Sequence, residues 1–550
     1  MPGNNFIKLI FILSILLPFV NAQDDLNSYS NVELDINLFS RAQIVPEKDS
    51  YELDYIELNL TFFPKQSQFL SVFDKKFDSN QNFNLLEWED HIIYNFNNPS
   101  PGILDYNANF KVSSDVNFKQ IRNKINFPHQ RVKSVYLQHT DLINSDDISI
   151  REQTNEIVKG TDDFYEAVYK IALWTNKNIN YSLETLTADA TQSSRWVLDN
   201  KRGVCDELTA LFIAMLRSIG IEAKFVPGVS YSNTINGFGG HAWAEVYFPG
   251  EGWVPFDPTY GQYGYVDATH IKMQDSIDAR ESSIAYAWKY RDVDIDFEPF
   301  NFTVDVLGSK NPYKLPIDFE INLLENDVGP GSYAPLEIEI ENLAYYYLPV
   351  TLYIVKGPSV FKDNRIDLLL KPGETKKVFK LIPVPDDLRK GFSYTSEIEV
   401  TDGYGKNALT ELEYGSGQDI YSLEEAESRI NLLNEKEENN FVTGLDLVCS
   451  LDKAVYTNLD DAFISCSVTN TGNYKMDDIK VCFRQECFNY ELSINQEENI
   501  DFNLDLTNEK SQTIIVKAEN SLLSKQAFME LIVEKAPWHK RFWHWLKNLF

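Results

Sequence analysis

Between residues 24 and 128, apolar and polar positions alternate with a period of two, which predicts β-strands. The clearest runs are NVELDINLFS and YELDYIELNLTFF, and clusters of Asn, Asp, Pro and Gly separate such runs. We therefore expect a β-rich N-terminal domain over residues 23–150.

The apolar period lengthens to that of an α-helix after Thr161-Asp162-Asp163, a typical helix start. A further helix is predicted over residues 188–198. The stretch RGVCDELTALFIAMLRSIG predicts a third helix, whose apolar face is formed by Leu208, Leu211, Phe212, Met215, Leu216 and Ile219. The strands predicted after it are residues 223–226, 241–248 and 253–256. Helices followed by strands in one stretch predict an α+β domain over residues 151–295.

Strand patterning returns over residues 300–415, where turn signals separate the alternating runs as in a β-sandwich. The acidic stretch at residues 416–440 predicts a helical or flexible linker. Residues 441–535 repeat the strand and turn pattern and predict a second β-sandwich.

The final segment, residues 536–550, contains three Trp and three basic residues and no acidic residue. On a helix, one face would carry Trp538, Phe542, Trp545 and Leu549. Such a basic, aromatic helix suits a membrane interface and is too short to span a bilayer. Two alternatives are open: this face contacts a membrane surface, or it packs on the last sandwich.

The composition supports a multidomain globular protein. A chain of 550 residues predicts three or four domains, and 43% hydrophobic residues are enough to form packed cores. The formal net charge of −32 opposes binding to nucleic acid, which we exclude as a partner. The sequence indicates no oligomeric state.

The N-terminus predicts export. Residues 1–22 contain one lysine, an apolar run from Leu9 to Val20 and a small-residue site ending at Ala22, as in a cleaved signal peptide. The alternative is an uncleaved membrane anchor, for which the run is short. Both predict that the protein acts outside the cytosol, secreted or at the cell surface.

Export makes the cysteines informative, because disulfides form in oxidising compartments. Four of the five cysteines lie close together near the C-terminus, and we expect the pairs Cys449–Cys466 and Cys482–Cys487, with the other two connectivities open. Cys205 is then an unpaired thiol at a predicted helix start. It is either a reactive thiol or a small buried residue.

A nucleophilic thiol needs a base and a group that orients the base. His241 opens the predicted strand HAWAEVYF after a glycine-rich run, where it can face a cleft. The next strand ends at Asp257, and PGEG joins the two as a hairpin. If paired residue numbers sum to 500, Asp257 lies diagonal to His241 on the same face; an odd sum would put it on the other face.

These motifs resemble those of one enzyme family. RGVCDELTALFIAMLRSIGIEAKFVPG followed by GGHAWAEVYFPGEGWVPFDPTYG is similar to the transglutaminase-like core of the papain-like thiol enzymes, over about residues 160–265. The resemblance implies an α+β fold with a papain-like core, flanked here by β-sandwich (Ig-like) domains. It also implies that Cys205 is the nucleophile, that His241 is the general base and then acid, and that Asp257 orients His241.

By the same resemblance, Cys205 would attack an amide carbonyl of a peptide or protein substrate and form a thioester, which water or an amine then resolves. The Cys205 backbone N–H would donate to the oxyanion, with Tyr181 as the candidate side-chain donor. No cofactor is expected, and the sequence has neither zinc-ligand spacing nor an EF-hand loop.

Two other functions are open. The chain could be a non-catalytic surface adhesion or scaffold protein with a relic thiol-enzyme domain, since its β-modules suit that role. Alternatively, the thiol could cross-link the protein to a partner through a thioester.

Overall fold

The structure is a computed structural model, and it describes residues 25–129, 133–184, 191–359, 363–433, 439–506 and 509–547. The predicted signal segment, residues 1–22, lies outside the described residues, as does Leu549.

The N-terminal part is built from strands whose alternate residues form the core. In the first strand, Val32, Leu34, Ile36 and Leu38 are fully buried, as the period-two pattern predicts. The strands of this part are β1 (Tyr29–Pro46), β2 (Glu52–Leu60), β3 (Leu70–Ser79), β4 (Asn84–Glu87), β5 (Ile92–Asn97), β6 (Gly102–Asp115) and β7 (Asn117–Phe118). A short 3-10 helix, Leu26–Ser28, precedes β1.

The chain then forms an α+β core. A 3-10 turn, Val135–Leu137, leads to helices α1 (Ile148–Val158), α2 (Phe164–Asn178), α3 (Ser194–Asn200) and α4 (Cys205–Ser218). The strands of the core are β8 (Asn180–Tyr181), β9 (Arg202–Gly203), β10 (Ala223–Ser232), β11 (Gly237–Phe248), β12 (Gly252–Asp257), β13 (Gln262–Tyr263), β14 (Tyr265–Val266) and β15 (Ile271–Lys272). Its main sheet is antiparallel, in the order β13-β12-β11-β10-β15.

After the core, the chain returns to the N-terminal sheets. The returning strands are β16 (Ile284–Arg291), β17 (Val293–Phe297) and β18 (Asn301–Pro312). β16 pairs with β2, whereas β17 and β18 both pair with β1. One N-terminal sheet therefore has the order β17-β1-β6-β3 with β18 also on β1, and the other has the order β16-β2-β5-β4.

These pairings differ from the predicted boundaries at residues 150, 295 and 300. Residues 284–312 complete the N-terminal sheets instead of ending the α+β domain or opening the first sandwich. Ile121, Phe127 and Ile143 pack into the core cluster of α2 and α4, and β7 pairs with β14, so the N-terminal sheets end with β6 at Asp115 before the core begins. Alternation along a sequence predicts a strand but not its partner, and these partners are more than 200 residues apart.

Two β-sandwiches follow. The first contains β19 (Ile317–Leu323), β20 (Asp327–Val328), β21 (Tyr333–Asn342), β22 (Leu348–Lys356), β23 (Arg365–Leu370), β24 (Thr375–Pro383), β25 (Ser393–Thr401) and β26 (Asn407–Gly415). Its sheets have the orders β19-β21-β24 and β20-β26-β25-β22-β23. Within the acidic stretch after it lies helix α5 (Leu423–Leu433).

The second sandwich holds both disulfides, Cys449–Cys466 and Cys482–Cys487, each joining residues that face each other across paired strands. Its strands are β27 (Leu445–Leu451), β28 (Tyr456–Thr457), β29 (Asp461–Asn470), β30 (Met476–Phe483), β31 (Glu486–Leu492), β32 (Glu497–Asp505), β33 (Gln512–Glu519), β34 (Ser524–Leu531) and β35 (Val533–Glu534). Its two larger sheets have the orders β27-β29-β32 and β31-β30-β33-β34.

The last element is helix α6 (Trp538–Lys547). Trp538, Phe542 and Trp545 are 75%, 51% and 56% exposed, so these side chains do not pack on the second sandwich. Within the described ranges, no helix combines the length and the apolar character needed to cross a membrane.

A buried arginine ties α4 to the strand that follows it. The Arg217 guanidinium donates to the carbonyl oxygens of Ala223, Ile277 and Gln138 at 2.8–3.2 Å. Substitution Arg217→Met should lower the free energy of unfolding by about 3 kcal/mol, because buried carbonyls would lose their donors. Chemical denaturation of both proteins measures this, with the exposed Arg280→Met as control. Equal loss in the two variants would contradict the assignment.

Candidate active site

Cys205 is the first residue of α4, and the helix is buried from Glu207 to Arg217. The sequence predicts one apolar face, but α4 packs against β10 and β11 as well as against the other three core helices, so every face is covered. A helix held on all sides gives its first residue a fixed position and direction.

Glu207 fixes the turn before the thiol. Its carboxylate accepts hydrogen bonds from the backbone N–H of Val204 (2.7 Å) and of Gln192 (3.0 Å). A side chain at Gly203 would bring a Cβ to 2.8 Å from the Glu207 Cβ, which explains the glycine at this position. Glu207 therefore holds the first turn of α4 by bonding back to the N-cap residue, Val204.

The environment of Cys205 favours the neutral thiol. Burial raises the pKa of the Cys205 thiol, and Asp206, whose Oδ1 lies 3.6 Å from the Cys205 Sγ, raises it further. A hydrogen bond with the Ala242 backbone lowers the pKa without reversing the shift. The thiol therefore needs a base to remove its proton at neutral pH.

Asp206→Asn should make Cys205 ionise at lower pH, because the substitution removes a negative charge that favours the protonated thiol. We expect the midpoint of iodoacetamide labelling against pH to fall by about one unit. Mass spectrometry of the labelled peptide measures this midpoint, with the exposed Asp199→Asn as control. A midpoint that is unchanged or higher would contradict this electrostatic role.

The hairpin of β11 and β12 brings a base and a carboxylate together. Ala244 pairs with Phe256 and Val246 with Val254, which is the register in which paired numbers sum to 500. His241 Nε2 lies 2.7 Å from Asp257 Oδ2 as a result. Asp257 Oδ1 accepts from the backbone N–H of Thr259 (2.7 Å) and of Tyr260 (3.1 Å), which fixes the carboxylate.

His241 lies next to the start of α4. Thr209, in the first turns of α4, donates through Oγ1 to the carbonyl oxygen of Ala242 at 3.1 Å. His241 also contributes electrostatically to the titration of Asp206, beside Cys205. The base and the thiol thus lie on two elements, β11 and α4, that are hydrogen-bonded together.

The position of His241 differs from the predicted one in two respects. The glycine-rich run before it is part of β11, so His241 is inside the strand instead of opening it. Its side chain is only 5% exposed, and the ring of Tyr260 stacks on it at 4.5 Å. The imidazole is therefore covered by Tyr260, whereas the prediction let it face a cleft.

Asp257 is held as a carboxylate. Burial alone would raise the pKa of Asp257, but His241 and His270 outweigh it and hold the pKa well below its usual range. A permanent negative charge beside His241 stabilises the imidazolium and fixes the ring.

Tyr181 reaches the same region through a short parallel pairing with Gly203, two residues before the thiol. Its side chain is about half exposed, and burial together with the charge of Cys205 raises the pKa of Tyr181 to about 12. The phenol therefore keeps its proton at neutral pH and can donate a hydrogen bond near Cys205.

The sequence reasoning missed His270, which the structure places on the same carboxylate. His270 Nε2 lies 3.1 Å from Asp257 Oδ2, and its Nδ1 lies 3.2 Å from Asp267 Oδ1. Both His270 and Asp267 are fully buried. A signal was present in Asp267 and His270, three residues apart just after the Asp-Pro-Thr motif, but alone it is ordinary loop composition.

His241, Asp257 and His270 also have the residue types of a metal site, with ligand atoms within 4.8 Å of one another. The separations of 2.7 and 3.1 Å are, however, those of hydrogen bonds. Ligands at about 2.0 Å from a tetrahedral zinc ion lie about 3.3 Å apart. These residues therefore fit a hydrogen-bonded cluster better than a metal centre. The absence of a cofactor stays a prediction.

Comparison with known proteins agrees with the geometry. Residues 151–258 match the family described as the transglutaminase-like superfamily. The uncharacterised protein YebA of Bacillus subtilis is 28% identical over 143 residues, which are 23% of this chain and 19% of YebA. The match thus spans about a fifth of that relative's length.

Two solved structures are similar to this chain over much of their own length, at low sequence identity. A candidate cysteine protease from Cytophaga hutchinsonii is 13% identical, with a TM-score of 0.38 over 52% of this chain and 94% of its own. The transglutaminase of red sea bream is 10% identical, with a TM-score of 0.19 over 88% of this chain and 93% of its own.

The family match covers most of α1 and the segment that holds α2 to α4, Cys205, His241 and Asp257. Residues 151–258 are therefore a transglutaminase-like core, set in a longer chain of β-rich domains.

Proposed function

We propose that this chain is an extracytoplasmic thiol enzyme that attacks amide bonds of peptides or proteins through a thioester on Cys205. The observation that carries the proposal is the 2.7 Å contact between His241 and Asp257, in a hairpin hydrogen-bonded to the helix that starts at Cys205. This arrangement has the base and the orienting carboxylate that a neutral thiol requires.

In the proposed reaction, His241 takes the thiol proton while Cys205 Sγ forms a bond to the amide carbonyl carbon. The backbone N–H of Cys205, with Tyr181 as the proposed second donor, stabilises the oxyanion. His241 then returns the proton to the leaving amine nitrogen as the C–N bond breaks, which leaves a thioester.

The second half of the reaction repeats these roles. Water or a primary amine attacks the thioester carbonyl, and His241 accepts a proton from the attacking group. The C–S bond then breaks, and the proton returns to the Cys205 sulfur. Water as the acceptor gives hydrolysis, whereas an amine gives transamidation.

Incubation with a peptide library, with and without an added primary amine, tests the activity. Mass spectrometry should show cleaved or deamidated products without the amine, or products that have gained the amine when it is present. Cys205→Ala is the control and should give neither. No difference between the wild type and Cys205→Ala would favour the alternative of a non-catalytic adhesion or scaffold protein.

The location outside the cytosol rests on the two disulfides, which need an oxidising compartment. The thiol count of protein isolated from its natural host tests this location. We expect one free thiol per chain before reduction and five after it. Five free thiols before reduction would contradict an oxidising compartment.

The exposed aromatic face of α6, with Lys540 and Arg541 beside it, is proposed to bind an anionic membrane surface. Vesicles containing phosphatidylserine should bind the full chain more tightly than phosphatidylcholine vesicles. Phe542→Asp should lower that binding at least about tenfold, because a charge would enter the apolar interface. Phe528→Asp, at an exposed position on β34, is the matched control. Equal binding by both variants would contradict the role of α6.

A further inference from the structure

The buried surroundings of Asp257 contain more than an orienting carboxylate needs. Its Oδ2 contacts both His241 Nε2 (2.7 Å) and His270 Nε2 (3.1 Å). A single oxygen is thus shared between the proposed catalytic imidazole and a second imidazole. Both rings are buried, and their centroids lie 5.4 Å apart.

His270 has a second acidic neighbour on its other side. Its Nδ1 lies 3.2 Å from Asp267 Oδ1, a charge contact that lacks the alignment of a hydrogen bond. Asp267 is in turn anchored by Gln262 Nε2 (2.6 Å) and by the backbone N–H of Thr269 (2.8 Å). A fixed carboxylate therefore faces each ring nitrogen of His270.

We propose that His270 is a positioning residue that carries a permanent positive charge between Asp257 and Asp267 and thereby lowers the basicity of His241. This inference rests on the proposed function, because it assigns how the base of that same site is tuned. His270 would not touch substrate; it acts through Asp257.

Charge balance supports the protonated form. Burial would lower the pKa of His270, but Asp267 and Asp257 outweigh it and raise the pKa to about 9. A neutral His270 would leave the buried carboxylates of Asp257 and Asp267 without a cation between them, which is costly at low dielectric.

Several titratable groups face His270 and His241 and affect the protonation of these two rings. Asp257, Asp267 and the phenol of Tyr260 face His270. On the side of His241, the groups are Asp257, Tyr260 and, at the start of α4, Cys205 with Asp206.

The sign of the effect follows from this arrangement. A positive His270 repels a second positive charge on His241 and also takes part of the hydrogen-bonding capacity of Asp257 Oδ2. Both effects disfavour the His241 imidazolium. Removal of the His270 charge should therefore favour protonation of His241.

The test is NMR of protein labelled at the histidine rings, with His241 assigned through His241→Ala. In the wild type, His270 should stay doubly protonated at pH 7.5. In His270→Gln, the titration midpoint of His241 should rise by about one pH unit or more. The exposed His139→Gln is the matched control and should leave that midpoint unchanged.

Asp267→Asn gives an independent route, because loss of that carboxylate should neutralise His270 and raise the His241 midpoint in the same direction. A neutral His270 in the wild type, or an unmoved His241 midpoint in a folded variant, would overturn the proposal. If neither variant folds, the protonation of wild-type His270 decides it.

Kinetics separate this inference from the proposed function. With a substrate found in the library experiment, the low-pH limb of kcat should move up with the His241 midpoint in His270→Gln, with KM little changed. An inactive wild type would refute the proposed function and leave the NMR result standing. An active enzyme with an unmoved limb would refute only the role of His270.

Discussion

Replacing Cys205 with serine should lower the rate of amide-bond attack by about 10⁴-fold or more. The hydroxyl is nearly isosteric with the thiol but is a much poorer nucleophile. Cys205 is also half-buried beside Asp206, which opposes formation of an anion at this position. The measurement is product formation by mass spectrometry with the library substrate that the wild type uses best.

The fold should survive this change, so the loss can be read as chemistry. The midpoint of thermal unfolding of Cys205→Ser should stay close to that of the wild type, because the substitution adds no volume to the packed start of α4. Activity within tenfold of the wild type would contradict Cys205 as the nucleophile.

Asp257→Asn should lower the rate by about 10³- to 10⁴-fold. The Asn oxygen can still accept from Thr259 and Tyr260, so the turn should keep its geometry. The amide carries no charge, however, and its NH₂ group would face the nitrogen of His241 that now contacts the carboxylate. His241 would lose both its orientation and the stabilisation of its imidazolium.

The pH dependence of the wild type gives a further check on Asp257. Since its pKa lies well below the usual range, the carboxylate should stay ionised as pH falls through 4. The fall in activity at low pH should therefore not arise from protonation of Asp257. The exposed control Asp199→Asn should show the same low-pH limb as the wild type. A rate for Asp257→Asn near that of Asp199→Asn would contradict the orienting role.

The hairpin of the site is the part that sequence reasoning predicts well. Alternation within HAWAEVYF and the short PGEG turn restrict the pairing to a few registers, and the even sum of 500 puts His241 and Asp257 on one face. The start of α4 also depends on residues close in sequence, because Gly203 and Glu207 lie within one turn of Cys205.

Contacts between residues far apart in the sequence cannot be predicted in this way. The pairing of β18 with β1 joins residues about 270 positions apart, and no local pattern specifies that partner. His270 was missed for the same reason: its contact with Asp257 depends on the pairing of β15, which follows it, with β10. The full burial of α4 also depends on which helices cover it, which its own sequence does not encode.

The central claim is that Cys205 is a nucleophile activated by His241. Because the other four cysteines are paired, iodoacetamide can label one thiol per native chain, and the labelled peptide is read by mass spectrometry. At neutral pH we expect wild type and His139→Ala to label Cys205 at the same rate, and His241→Ala at least about tenfold more slowly. No labelling of the wild type, or equal labelling of His241→Ala, would contradict the account.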